Sequence, residues 1–65
     1  MKHAIGAGKE HKVWETTETG DRLVGTAFNL DSADEIIKLE RAIMRLEGNP
    51  NAETAELWIE IISHS

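Results

Sequence analysis

The sequence predicts a small α+β domain in which a β-hairpin is followed by one helix and a C-terminal strand, the order ββαβ. Three observations predict it: a turn-forming Gly20-Asp21 pair between β-prone segments, a helical repeat with cap signals at both ends, and an alternating apolar segment near the C-terminus. With 65 residues and no cysteine, the chain has a thin core and no disulfide to support it. We take residues 1–11 as a flexible or edge leader and residues 12–65 as a single domain.

The hairpin is predicted over Lys12 to Leu30, with Gly20-Asp21 as its two-residue turn. This turn sets Thr19 opposite Arg22 and Trp14 opposite Ala27. One face then carries the residues that a helix would cover, namely Val13, Val24, Phe28 and Leu30. The other face carries Trp14, which either contacts a partner or covers a thin part of the protein's own core.

The helix is predicted from about Ser32 to Glu47. Ser32 and Glu35 fit a capping box, in which each side chain bonds the backbone amide of the other residue. At the other end, Gly48 suits the left-handed residue that ends a helix, and Pro50 prevents continuation.

The apolar residues of this helix fall into two stripes at about 100° per residue. The first contains Ile36, Leu39, Ile43 and Leu46, and the second contains Ala33, Ile37 and Met44, with Glu40 and Glu47 between them. Because one stripe is enough to cover a small sheet, we predict the second, through Ile37 and Met44, as a surface for another chain. The alternative, which the common width of apolar faces on surface helices favours, is one broad stripe that covers a strongly twisted sheet, with both glutamates reaching water at its edge.

Residues 56–63 fit two secondary structures. Their β-branched residues and alternation favour a strand. Ala52, Ala55, Trp58, Ile59 and Ile62 also recur at helical spacing, which would give the order ββαα. We predict the strand and keep ββαα as the alternative.

The charge is unevenly distributed. From Trp14 to Ser65 there are eleven acidic and four basic residues, whereas the first thirteen residues carry Lys2, Lys9 and Lys12 against Glu10. An acidic body repels DNA and RNA and attracts proteins with basic working surfaces. We therefore expect a larger protein with a basic nucleic-acid-binding surface as the partner, and no direct binding to nucleic acid.

The spacing of the carboxylates resembles that of a nucleic-acid backbone. Carboxylates two apart on a strand lie about 6.8 Å from each other, those four apart on a helix about 5 to 6 Å, and successive phosphates ~6 to 7 Å. The predicted partner-binding residues are Glu15, Glu18, Asp21, Glu40, Glu47, Glu53, Glu56, Glu60, Trp14, Ile37 and Met44.

The residues that enzymes use are poorly placed here. His3, His11 and His64 lie near the chain ends, and Ser32 is explained as a helix cap. We predict no catalytic residue, no metal site and no cofactor. The apolar runs are too short for a membrane span or a signal peptide, so we expect a soluble cytoplasmic protein that does not bind membranes.

The leading hypothesis is a small acidic, non-enzymatic interaction protein that inhibits a larger partner by covering its nucleic-acid-binding surface through charge mimicry. Phages and mobile elements encode short, acidic, cysteine-free inhibitors of this general character, including anti-defence proteins. Two alternatives remain open. One is a homodimeric or larger regulatory or assembly module, antitoxin-like, that associates through the helix. The other is a small phosphate-ligand binder at a subunit interface around Trp14, Trp58 and the leader lysines.

Overall fold

The chain folds as ββαβ, with a three-stranded antiparallel sheet and one helix packed on it. In the computed structural model, which describes residues 8–63, the elements are β1 (Lys9–Thr17), β2 (Gly20–Ala27), α1 (Leu30–Leu46) and β3 (Glu56–Ser63). The strand order is β2-β1-β3, so β1 is central and β2 and β3 form the two edges. The predicted fold class is confirmed, and the C-terminal segment is a strand rather than a helix.

The central strand begins before the predicted domain boundary at residue 12. Lys9 is the first residue of β1 and pairs with Ser63 of β3. Residues 9–11 therefore belong to the sheet. Residues 1–7 of the predicted leader lie outside the described residues.

The hairpin turn lies two residues earlier than predicted. Glu18 and Thr19 form it, and Thr17 pairs with Gly20. Gly20 has a φ of 127°, a conformation that side-chain-bearing residues rarely adopt. Gly20 is therefore the first residue after the turn, and the predicted Gly20-Asp21 turn was wrong.

This shift changes the register of the whole hairpin. Trp14 lies opposite Leu23 instead of Ala27, and a β-bulge between Val13 and Trp14 leaves Val24 as the additional residue of β2. Val24 packs partly buried against the core, as predicted. The predicted burial of two other residues was wrong, because β2 ends at Ala27: Phe28 lies beyond the strand at 86% exposure, and Leu30 begins the helix at 55%.

The helix begins at Leu30, two residues earlier than predicted, because Asn29 caps it. The Asn29 side-chain oxygen accepts a hydrogen bond from the Ser32 amide at 2.7 Å. Asparagine caps helices as well as serine does. Ser32 consequently lies in the first turn, and the predicted Ser32–Glu35 capping box was wrong.

The helix ends as the sequence predicted. Gly48 has a left-handed φ of 74°, its amide donates to the carbonyl of Arg45, and the Asn49 amide donates to that of Met44. These two bonds form a Schellman motif, which satisfies carbonyls that the helix end leaves without partners.

We expect Gly48→Ala to lower the free energy of unfolding by about 1–2 kcal/mol, which is the usual cost of placing an L-residue in the left-handed helical region. Gly48→Asn is the matched control, because asparagine tolerates this region better. Urea denaturation should give the order wild type, Asn, Ala from most to least stable. An alanine variant as stable as wild type would contradict this role of Gly48.

The core lies between α1 and the sheet. Val13, Ala27 and Ala33 form its buried centre, with Val24, Ile36, Ile37 and Ile59 packed partly buried around them. Val13 is the one large side chain that is fully buried among residues 8–63. The helix packs mainly over β1 and β2 and touches β3 less. Within the described residues, no helix combines the length and the apolar character needed to cross a membrane.

The second helix stripe faces the core together with Ile36 of the first stripe. Met44 is 4% exposed, and Ile37 packs partly buried against the core. Both were predicted to face another chain, and both belong instead to the protein's own core. The small side chain of Ala33, fully buried, lets this side of the helix approach the sheet closely. The other stripe contributes the exposed residues Leu39 (61%), Ile43 (39%) and Leu46 (88%).

Candidate functional site

The face of the sheet opposite α1 carries the candidate site. Side chains alternate between the two faces of a strand, so Val13 points toward the helix and Trp14 away from it. The prediction that Trp14 lies on the face away from the helix is confirmed. We call this surface the open sheet face; the strand register assigns to it Glu10, Lys12, Trp14, Thr16, Asp21, Leu23, Thr26, Glu56, Trp58, Glu60 and Ile62.

Three rows of side chains cross the open sheet face from β2 through β1 to β3, spaced by about 6.8 Å along the strands. The row nearest the hairpin turn contains Asp21, Thr16 and Glu56. The middle row is apolar and contains Leu23, Trp14 and Trp58. The third row contains Thr26, Lys12 and Glu60. An aromatic band is thus flanked by carboxylates on both sides.

The two tryptophans of the middle row stack on each other. Their ring centroids lie 6.2 Å apart, with 23° between the ring planes. Trp58 is 39% exposed and Leu23, at the other end of the row, is 46% exposed. A row of large apolar side chains with this much exposure is typical of contact surfaces.

Hydrogen bonds fix both indole rings. The Trp14 Nε1–H donates to Glu60 Oε1 at 2.9 Å, and the Trp58 Nε1–H donates to Thr16 Oγ1 at 3.0 Å. Each bond runs diagonally between β1 and β3, so the two strands hold the pair together. Rings held in this way lose little conformational entropy when a partner binds.

Two predicted carboxylates are instead engaged on the helix side of the sheet. Arg22 Nη2 lies 2.6 Å from Glu15 and 2.7 Å from Glu40, whose side chains are only 15% and 18% exposed. The hydrogen bonds that Arg22 donates, to Glu15 above all and then to Glu40, raise the pKa of Arg22 above its ordinary value. These two ion pairs join the hairpin to α1, and the two carboxylates present little charge to a partner.

Glu53 is also paired, in the segment between α1 and β3. Its carboxylate accepts from the guanidinium of Arg45, and this bond lowers the pKa of Glu53 below its ordinary value. Glu47 is exposed at the C-cap of α1 and lies in no strand of the sheet. Neither residue shares the open sheet face.

A shallow acidic groove of about 430 Å³ lies beside the hairpin turn. Glu15, Glu18 and Glu56 line it together with Thr16, Thr17, Asn51, Thr54 and Ala55. Because Glu15 is bound to Arg22, Glu18 and Glu56 are the carboxylates that the groove offers, and they suit a basic side chain rather than an anion. The groove adjoins the open sheet face through Thr16 and Glu56.

The structure therefore divides the predicted set. It places Trp14, Asp21, Glu56 and Glu60 on the open sheet face. Glu15, Glu18 and Asp21 do not form one line along the hairpin, because Glu15 points to the helix side of the sheet while Asp21 points to the open sheet face. Glu53 precedes β3 and is bound to Arg45, so it does not extend the line of Glu56 and Glu60. Trp58 and Leu23 belong to the site and were absent from the predicted partner-binding set. Trp58 lies two residues from Glu56 and two from Glu60, a spacing that puts all three on one face of a strand. This spacing could have identified Trp58 from the sequence.

His11 lies in the core rather than at the surface. It is 6% exposed, and its Nδ1 has no hydrogen-bond partner among the described residues. No group of three or more metal-ligating side chains is found within residues 8–63. His3 and His64, the other two histidines near the chain ends, lie outside the described residues.

Comparisons with known protein families, with characterised proteins and with solved structures give no match. Function is therefore inferred from the chemistry of the open sheet face.

Proposed function

We propose that the protein is a non-enzymatic interaction protein that binds a larger partner through the open sheet face and thereby covers a basic, nucleic-acid-binding surface of that partner. The observation that carries this proposal is the stacked Trp14–Trp58 pair between two carboxylate-bearing rows. A role against host defence systems, in a phage or mobile element, stays a prediction from length and composition.

The open sheet face has the groups that recognise arginine and lysine. An indole ring attracts a guanidinium placed over its face, by about 0.5–2 kcal/mol depending on desolvation. Asp21, Glu56 and Glu60 lie in the rows on either side of the rings and can accept from the same cation. Glu60 already accepts from Trp14, but a carboxylate has further lone pairs for a second donor. An arginine seated between two rows would thus contact a ring and a carboxylate together.

The charge of this face favours a protein over a nucleic acid as the ligand. Exposed aromatic rings also bind single-stranded nucleic acids, but such sites add a positively charged groove that follows the backbone. Lys12 is the basic residue that the described strands place on this face, against several carboxylates. The same repulsion disfavours the phosphate-ligand alternative, which placed Trp14 and Trp58 at a subunit interface, whereas the two rings stack within one chain.

The proposed mimicry is one of charge rather than of individual phosphates. Asp21 and Glu56 are two strand spacings apart, about 9.6 Å, and Glu56 and Glu60 are four residues apart, about 13.6 Å. Both distances exceed the ~6 to 7 Å between successive phosphates. We therefore expect the protein to exclude nucleic acid from its partner without following the backbone phosphate by phosphate.

A competition assay tests the proposed function. The partner is captured with the tagged protein from an extract of the source organism, purified, and loaded with fluorescent DNA or RNA. We expect the protein to release the labelled strand at one copy per binding site, and added salt to weaken capture, because charge attraction is screened. A partner that binds the protein and the nucleic acid simultaneously, or one whose capture is unchanged in high salt, would contradict the proposal.

A further inference from the structure

We propose that a second copy of this chain pairs with the free edge of β3, antiparallel and about a two-fold axis, to give one continuous six-stranded sheet. This inference does not depend on the proposed function, because the open sheet face stays accessible in such a dimer. It rests on the difference between the two sheet edges, on an apolar area beside one of them, and on the charges along β3.

The two edge strands of the sheet differ in how well they can pair with a further strand. β2 is interrupted by the bulge at Val24 and begins with Gly20, Asp21 and Arg22. A bulge is one of the usual means by which an edge strand avoids a new partner. β3 has eight residues, pairs with β1 without a bulge, and contains no proline, glycine or lysine. Its second side has no partner strand among residues 8–63.

An apolar area lies beside this edge on the helix side of the sheet. Because α1 packs mainly over β1 and β2, it leaves the inner face of β3 incompletely covered. Ile61, which lies opposite buried His11, is 53% exposed, and Leu57 and Ile59 are half-buried. A second β3 would place its own isoleucines and leucine against these residues and would enlarge a core that has Val13 as its one large, fully buried side chain in the described chain.

The charges along β3 select the register. In a two-fold antiparallel pair, one residue lies opposite its own copy. An axis at Trp58 sets Glu56 opposite Glu60, and an axis at Glu60 sets the two copies of Glu60 opposite each other; like charges directly opposite are destabilising. An axis at Ile61 avoids this clash but pairs only the end of the strand.

An axis at Ile59 pairs residues 56–62 without opposing carboxylates. Ile59 then meets its own copy, Leu57 meets the second copy's Ile61 on the core side, and Trp58 meets the second copy's Glu60 on the open sheet face. On the helix side of the six-stranded sheet, apolar residues thus lie opposite apolar residues. Self-complementarity of this kind is what a two-fold interface between identical chains requires.

The response to salt separates this dimer from binding to a basic partner. Each chain has a net charge of −5, so two copies repel each other and added salt should tighten the dimer by screening that repulsion. Binding of a basic protein should weaken under the same conditions. Failure of one proposal is therefore distinguishable from failure of the other.

Sedimentation equilibrium over a concentration series, at low and high salt, tests the dimer. We expect Ile61→Lys to weaken dimerisation at least tenfold, and Leu46→Lys, which changes a more exposed apolar residue on α1, to leave it unchanged. Circular dichroism checks that both variants are folded. A wild-type protein that stays monomeric up to millimolar concentration, or a dimer that Leu46→Lys dissociates and Ile61→Lys does not, would overturn the proposal.

Cross-linking tests the register separately, because the chain contains no cysteine of its own. Residues directly opposite in an antiparallel pair have Cβ atoms about 4.5–5.5 Å apart, close to the distance that a disulfide spans. Ile59→Cys should form covalent dimers rapidly with oxidised glutathione, and Ile61→Cys should form them slowly. Faster cross-linking through position 61 would overturn the axis at Ile59.

Discussion

Replacing Met44 by lysine should unfold the protein, whereas replacing Leu46 by lysine should leave it folded. Met44 is 4% exposed in the core, and Leu46, two residues further along the same helix, is 88% exposed. Burying an unpaired ammonium costs several kcal/mol, and domains are stable by only about 5–15 kcal/mol, small ones by less. The loss of the apolar packing of the buried Met44 side chain adds to this cost.

Thermal unfolding followed by circular dichroism measures both variants. Met44→Leu is the control for shape, because volume-conserving apolar exchanges usually cost less than about 1.5 kcal/mol. The burial of Met44 would be contradicted by a Met44→Lys protein that unfolds at the wild-type temperature together with a destabilised Leu46→Lys protein. That result would mean that the stripe with Met44 faces outward.

Trp58→Ala should weaken binding to the partner by about 30-fold or more. Buried aromatic anchors at interface centres typically contribute 2 kcal/mol or more when truncated, and 1.4 kcal/mol corresponds to a factor of ten in affinity. Trp58 is the exposed member of the stacked pair in the middle row of the open sheet face. Its removal also exposes Trp14, whose ring is then held by the bond to Glu60 alone.

Isothermal titration with the captured partner measures this loss. Leu39→Ala is the matched control, because it removes a large side chain that is 61% exposed on the helix, and it should leave the affinity unchanged. Equal affinities for wild type and Trp58→Ala would mean that the partner binds elsewhere. Urea denaturation of the same variants separates lost binding from lost folding, since breaking an aromatic pair alone costs about 0.5–1.5 kcal/mol.

The parts of the fold that depend on residues close together in the sequence were predictable from it. Gly48 ends the helix by a local conformational preference, and the alternation and β-branched residues of 56–63 favoured a strand over a helix. The start of the helix was not, because Asn29 and Ser32 are equally good caps and only one of them is used. The hairpin register was also missed, because Gly20 follows the turn instead of forming it.

The candidate site required information that no local pattern contains. Trp14 and the glutamates of β3 were identified individually from residue type and face. Their meeting depends on the pairing of β1 with β3, strands that α1 separates in sequence and whose register is set by packing of the whole domain. For the same reason, the pairing of Arg22 with Glu15 and Glu40 was not foreseen, and these carboxylates were counted as available to a partner.

The central claim is that the open sheet face is where a partner binds, and the chain offers two direct reporters of it. It has two tryptophans, and both indole N–H groups belong to that face. In a ¹H–¹⁵N spectrum of the labelled protein, titrated with the captured partner, both indole signals should shift or broaden while the amides of Leu39, Ile43 and Leu46 stay unchanged. Perturbation of those helix amides with both indole signals unmoved would contradict the claim.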